Sequence, residues 1–151
     1  MTDRAVEILY VEDDIADVEL TMLALQASGV ANRIQVARDG VEALDYLFCR
    51  GKHVDRDFSI PKVVLLDLKL PKVSGLEVLQ AIRNDPRTRM LPVVILTSSR
   101  EQRDLVDSYK LGVNSFIQKP VDFEQFSQTI RQLGFYWLLV NEVPSPGANE
   151  L

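Results

Sequence analysis

Short apolar, β-branched runs alternate along this chain with stretches whose apolar residues recur every three or four positions. Val6 to Val11 (VEILYV) predicts a first strand. Ile15, Val18, Met22 and Leu25 then keep helical spacing, and Gly29 is placed to end that helix. Arg33 to Ala37 predicts a second strand. Asp39 with Glu42 three residues later has the pattern of a capping box, opening a helix through Val41, Leu44 and Leu47. Val63 to Leu66 (VVLL) predicts a third strand, and a helix over Leu76 to Ile82 stops near Asp85-Pro86. Val93 to Leu96 (VVIL) predicts a fourth strand. Ser99 with Gln102 caps the next helix, which ends near Gly112, and Ser115 to Ile117 is a short fifth strand. From Asp122, the residues Phe126, Ile130, Leu133, Trp137 and Val140 keep helical steps. They predict one long final helix, weakened locally at Gly134 by up to about 1 kcal/mol.

The strands lack polar alternation, so both their faces are buried. Alternation with helices then implies right-handed βαβ units. The expected fold is α/β, a doubly wound five-stranded parallel sheet with five helices. One domain is expected over residues 5–141, including the extended last helix, with a mobile Pro/Gly/Asn tail over residues 142–151. Arg50 to Pro61 is a long polar connection, in which His53 is expected to be solvated. Cys49 reads as a small core or boundary residue.

Composition removes several function classes. The 151 residues are 46% hydrophobic and carry a net charge of −5, which argues against broad nucleic-acid binding. A single cysteine and a single histidine exclude a disulfide framework and leave little for an all-protein zinc centre. No apolar run approaches the roughly 18 residues of a membrane span, and the N-terminus shows no signal peptide. The expected compartment is the cytoplasm, with no membrane partner.

In an open α/β sheet, ligands bind outside the carboxyl ends of the strands. Glu12, Asp13 and Asp14 follow the first strand, Asp67 the third, Thr97 the fourth and Lys119-Pro120 the fifth. Two carboxylates about 5 Å apart repel by roughly 3 kcal/mol at an effective dielectric of 20. Convergence of Glu12, Asp13 and Asp67 therefore calls for a hard divalent cation such as Mg²⁺, with Lys119 as a second positive charge. Taken singly, each piece has an ordinary reading: acids at a helix N-terminus, a hydroxyl cap, a surface turn. Their co-occurrence at successive strand ends is the specific signal.

The pieces Val11-Glu12-Asp13-Asp14, Leu65-Leu66-Asp67-Leu68-Lys69-Leu70-Pro71, Leu96-Thr97-Ser98 and Phe116-Ile117-Gln118-Lys119-Pro120 resemble the receiver domain of two-component response regulators. The resemblance spans roughly Val6 to Leu133. It implies the flavodoxin-like strand order 2-1-3-4-5. It also implies that Asp67 is the phosphoacceptor and that Asp13, Asp67 and the backbone carbonyl of Lys69 bind Mg²⁺, with Glu12 acting through water. Thr97 and Phe116 are implied as the switch pair, and Lys119 as the contact to the phosphoryl group. Many members carry Asp where this chain has Glu12. Physical chemistry agrees with these roles, because an ionised carboxylate is a ready nucleophile and needs no general base. The expectation is a signalling switch with slow self-dephosphorylation, not an enzyme.

Three rival readings differ from this one at particular residues. An aspartate-nucleophile phosphatase carries a second acid two residues after its nucleophile, where this chain has Lys69. A flavodoxin-like electron carrier needs a hydroxyl-rich loop where Glu12-Asp13-Asp14 would repel phosphate. A degenerate receiver acting only as a binding module lacks acidic or lysine positions that are all present here. The long Arg50–Pro61 connection and the aromatic segment after Gly134 resemble stand-alone response regulators of bacterial phytochromes, which implies a phytochrome-type sensor histidine kinase as partner and output through protein contact. Phe135, Tyr136, Trp137 and Leu138 are apolar all round the helix. Either they fold back on their own domain or they join two copies, and a homodimer is the expectation.

Overall fold

The computed structural model describes residues 6–29, 33–98, 103 and 110–139. Five parallel strands form one sheet in the order β2-β1-β3-β4-β5, with β1 Ile8–Val11, β2 Ile34–Ala37, β3 Val63–Asp67, β4 Val93–Thr97 and β5 Ser115–Gln118. Every residue of β1, β3 and β4 is buried, which explains their unbroken apolar runs. Strand one begins at Ile8, two residues later than expected, while β3 and β4 each run one residue further. Asp67 and Thr97 are therefore the last paired residues of their strands, facing Leu96 and Gln118 respectively. The order reverses between β1 and β3, which opens the crevice where such sheets bind ligands.

Helices α1 Ile15–Ala27, α2 Gly40–Leu47, α3 Gly75–Asn84, α4 Phe123–Leu133 and the short α5 Tyr136–Leu139 cover the sheet. Leu47, Val78, Leu79 and Ile82 of α2 and α3 close one core against Leu9, Val64, Leu66 and Ile95. Ala24 and Leu25 of α1 with Phe126 and Ile130 of α4 close the other, against Tyr10, Leu65 and Ile117. The helix expected from Ser99 to Gly112, its Ser99–Gln102 cap and the tail over 142–151 lie outside the described residues, Arg103 and the last residues before Gly112 apart.

Two expectations need correction. The final helix is not continuous. Gly134 takes φ 80°, its N–H donates to the Arg131 carbonyl at 3.0 Å, and the Phe135 N–H donates to Ile130 at 3.2 Å. This left-handed glycine ends α4 by satisfying its last carbonyls, so Gly134 is a stop rather than a weak point. The chain then turns back: Leu139 is fully buried, and Phe135 and Tyr136 pack half-buried on the α1–α4 core. Leu138 is 53% exposed, and the side chain of Trp137 lies outside the description.

His53 is not solvated. It belongs to a 3-10 turn over Gly51–His53, and its ring stands edge-on to Tyr46 at a centroid distance of 5.1 Å. Its Nε2 is buried, 3.9 Å from Glu42. Arg56 organises the rest of this connection, donating to the Tyr46 carbonyl at 2.6 and 3.0 Å and to the Ser59 carbonyl at 3.2 Å. A half-buried arginine and histidine thus take the place of an apolar core in a stretch whose composition reads as loop.

Candidate functional site

The three acids after β1 divide their labour by position. Asp14 caps α1, accepting from the N–H groups of Ala16 at 2.9 Å and Asp17 at 3.1 Å. Glu12 points inward and is fully buried, whereas Asp13 is exposed. Arg38, just past β2, donates to the backbone carbonyls of Glu12 at 3.1 Å and Asp13 at 2.6 Å, which fixes the loop that carries them. Nothing in the sequence marked Arg38 beyond a cation after a strand.

Asp67 is 5% exposed at the end of β3. Its Oδ1 accepts from the Lys69 N–H at 3.1 Å, while the Lys69 side chain is exposed. Helix α3 begins against this same backbone: a Cβ on Gly75 would overlap the Asp67 carbonyl oxygen and the Leu68 Cα. The missing side chain at Gly75 is what lets α3 sit directly behind the acceptor. The capping box expected at Asp39 is only half made there. It is complete at Ser74 and Glu77, three residues apart in the same pattern.

Lys119 enters from the end of β5. Its Nζ lies 3.0 Å from Asp67 Oδ2, 3.1 Å from Glu12 Oε1 and 2.7 Å from Asp17 Oδ2. Asp17 was missed by sequence reasoning, since an acid in the first turn of a helix already has a sufficient explanation. Burial works against the Lys119 ammonium, but the surrounding carboxylates of Asp17, Asp67 and Glu12 hold its pKa well above the ordinary lysine range. Glu12 is raised too, which for an acid disfavours the charged form. Burial, then hydrogen bonding to Asp67 and repulsion from it, push its pKa up to about 8 despite the nearby lysine.

Carboxylate oxygens of Glu12, Asp13 and Asp67 all lie within 4.8 Å of one another. Glu12 Oε1 is buried and, although within ion-pair distance of Lys119, has no partner in hydrogen-bond geometry. Three hard oxygen donors around an unsatisfied buried oxygen fit a small divalent cation such as Mg²⁺. Thr97 is buried at the end of β4. Phe116 pairs with Ile95, two residues before Thr97 on the neighbouring strand. Alternation puts Thr97 and Phe116 on one face of the sheet. Phe116 is half-buried, with the Arg103 guanidinium 5.4 Å from its ring. The site residues expected from the strand ends therefore converge on one rim, with Arg38, Gly75 and Asp17 as additions.

The family model for the response regulator receiver domain matches residues 8–131. The chain is 45% identical over 139 residues to the probable methanogenesis regulatory protein FilR2 of Methanothrix harundinacea, covering 92% of this chain and 88% of that one. It superposes on the bacteriophytochrome response regulator RtBRR with a TM-score of 0.85 at 51% identity, covering 97% of this chain and 88% of the other. For the bacteriophytochrome response regulator AtBRR the TM-score is 0.83 at 55% identity, over 93% and 100%. A Mn(2+)-bound form of the response regulator Rcp1 gives 0.70 at 33% identity, over 93% and 100%. Among the described residues, no helix is long and apolar enough to cross a membrane.

Proposed function

The chain belongs to the response regulator receiver family, and on that premise we propose that it accepts a phosphoryl group on Asp67 from a sensor histidine kinase of the bacterial phytochrome type. The observation that carries this reading is the Asp67 carboxylate itself: nearly buried at the switch in strand order, 3.0 Å from Lys119 and clustered with Glu12 and Asp13. An Asp67 oxygen attacks phosphorus; the oxygen–phosphorus bond forms as the kinase histidine's nitrogen–phosphorus bond breaks, and the imidazole keeps the electron pair. Lys119 then donates to the transferred group and offsets its charge. Glu12, Asp13, Asp67 and the Lys69 carbonyl are the residues to hold Mg²⁺. Bound there, the ion supplies charge neutralisation and in-line orientation. Thr97 supplies a hydroxyl donor to the new phosphoryl oxygens, and Phe116 responds on the same face of the sheet. Output is by protein contact, in the cytoplasm, with dephosphorylation slow.

Labelling with a small phosphodonor tests the reading. Acid-labile phosphate should appear on the wild type only with Mg²⁺, and be absent from Asp67→Asn. An unlabelled wild type would favour a degenerate receiver. Fast release of phosphate with continual turnover would favour an aspartate-nucleophile phosphatase. Light-dependent phosphotransfer from a bacteriophytochrome kinase tests the partner.

We also propose a homodimer built on α4 and α5, in a reduced form. Leu138 is 53% exposed in α5, while Phe135 and Tyr136 are half-buried against their own domain. Light scattering on the wild type and on Leu138→Glu decides it: a wild type that is monomeric at tens of micromolar, or dimers indifferent to the substitution, would defeat it.

A further inference from the structure

Lysine has three N–H donors, and Lys119 lies within ion-pair distance of three carboxylates. The three are not equivalent. Asp67 must give one oxygen to phosphorus, and its contact with the ammonium changes when it does. Glu12 belongs to the trio of acids whose oxygens converge within 4.8 Å. Asp17 stands outside that trio, yet makes the shortest contact, 2.7 Å.

Its position depends on nothing in the pocket. The Asp17 N–H is held by the cap residue Asp14 at 3.1 Å. Its carbonyl accepts from the hydroxyl of Tyr10 at 3.3 Å, and Tyr10 is fully buried on β1. The first turn of α1 is thus bolted to the central strand, with the Asp17 carboxylate on it. We propose that Asp17 is a positioning residue for the phosphoryl transfer described above, on which this inference rests: it anchors the Lys119 ammonium over Asp67 while the other two carboxylates change partners. Without such an anchor a four-carbon side chain samples many rotamers, and ordering it must be repeated at each transfer. In the transfer itself the Asp67 oxygen–phosphorus bond forms, the donor's bond to phosphorus breaks and the leaving group keeps the electron pair. Asp17 takes no part in that exchange and gives up no proton.

The competing explanation is that Asp17 merely favours the N-terminus of α1. A double-mutant cycle with Lys119 separates the two. Phosphoryl uptake from acetyl phosphate at saturating Mg²⁺ is measured for the wild type, Asp17→Ala, Asp17→Asn, Lys119→Ala and the Asp17→Ala/Lys119→Ala pair, with circular dichroism on each. Asp17→Ala should slow uptake on the order of tenfold. Asp17→Asn, which keeps an acceptor oxygen and the side-chain shape, should recover part of that loss. In the Lys119→Ala background, Asp17→Ala should cost nothing further. An equal loss in both backgrounds, or an Asp17→Asn variant with native circular dichroism and the full Asp17→Ala loss, overturns the anchoring role. So does wild-type uptake in Asp17→Ala. A wild type that takes up no phosphate removes the underlying phosphoacceptor reading instead, an outcome distinct from any ratio among the variants.

Discussion

Glu12 and Glu42 both follow the carboxyl ends of strands, both sit beside an aspartate, and both have lysine within reach. Glu12 lies with Asp67 around Lys119, whose side chain is 16% exposed. Glu42 follows Asp39 at the start of α2, with Lys52 at 3.0 Å and Lys72 at 3.3 Å from the pair, and these lysines are mostly in water. Burial and the neighbouring Asp67 push Glu12 up to about 8. Burial also opposes ionisation at Glu42, but the Arg38 N–H and Lys52 outweigh it and hold its pKa below the usual range. Asp39 is lowered as well, chiefly by the Glu42 N–H and then by Lys72. Two clusters of similar composition therefore do opposite work. One caps a helix and is content as it stands. The other has more negative charge than its single lysine balances, and so has room for a cation and a reaction.

The largest break in this contrast should come from the two lysines. Lys119→Ala leaves Glu12, Asp17 and Asp67 without their common counter-charge, and removing one partner of a buried ion pair costs about 3–5 kcal/mol. Lys72→Ala, at an exposed pair, should cost less than about 1 kcal/mol. Urea unfolding of both at pH 8 measures the difference, and equal losses would erase the distinction between the clusters.

Cation binding should differ almost as much. Mg²⁺ titration followed by intrinsic fluorescence should show affinity weakened by at least about tenfold in Asp13→Ala, as expected for a lost direct ligand. Glu12→Ala should lose less, and Glu42→Ala nothing. Equal affinity in all would refute the site.

The pH dependences should have opposite sign. Folding raises the Glu12 pKa, so the fold favours its protonated form. Its contribution to the metal-free protein is complete below the unfolded value near 4.5 and is lost as pH rises through about 8. Folding lowers Asp39 and Glu42, so their contributions are present above their unfolded values of 3.8 and 4.5 and are lost as pH falls. Stability measured from pH 4.5 to 8 should flatten in Glu12→Gln. In Glu42→Gln the change should be confined to the acid limb. A wild-type curve that rises from pH 5 to 8 without metal would contradict the Glu12 assignment.

The smallest effect belongs to the cap. Asp39→Asn keeps an acceptor for the Glu42 N–H and should change stability by only a few tenths of a kcal/mol. Phosphoryl uptake should be untouched.

The sequence by itself determined the sheet, its parallel sense and the rim on which Glu12, Asp13, Asp67, Thr97 and Lys119 meet. Those features rest on periodicity and on which residue follows each strand, and both are local properties. It did not determine where α4 ends, because a glycine in a helical pattern reads the same as a weak point or as a left-handed stop. Only the hydrogen bonds from Gly134 and Phe135 decide between them. Nor did it single out His53, Gly75, Arg38 or Asp17. Each acts through a group that only the folded chain brings to it: Gly75 against the backbone behind Asp67, Asp17 on α1 against Lys119 at the end of β5. A cap acid and a pocket acid share one sequence pattern. Which of them is buried, and beside which charge, is fixed when the strands come together, and burial and neighbouring charge are what turn a carboxylate into a site.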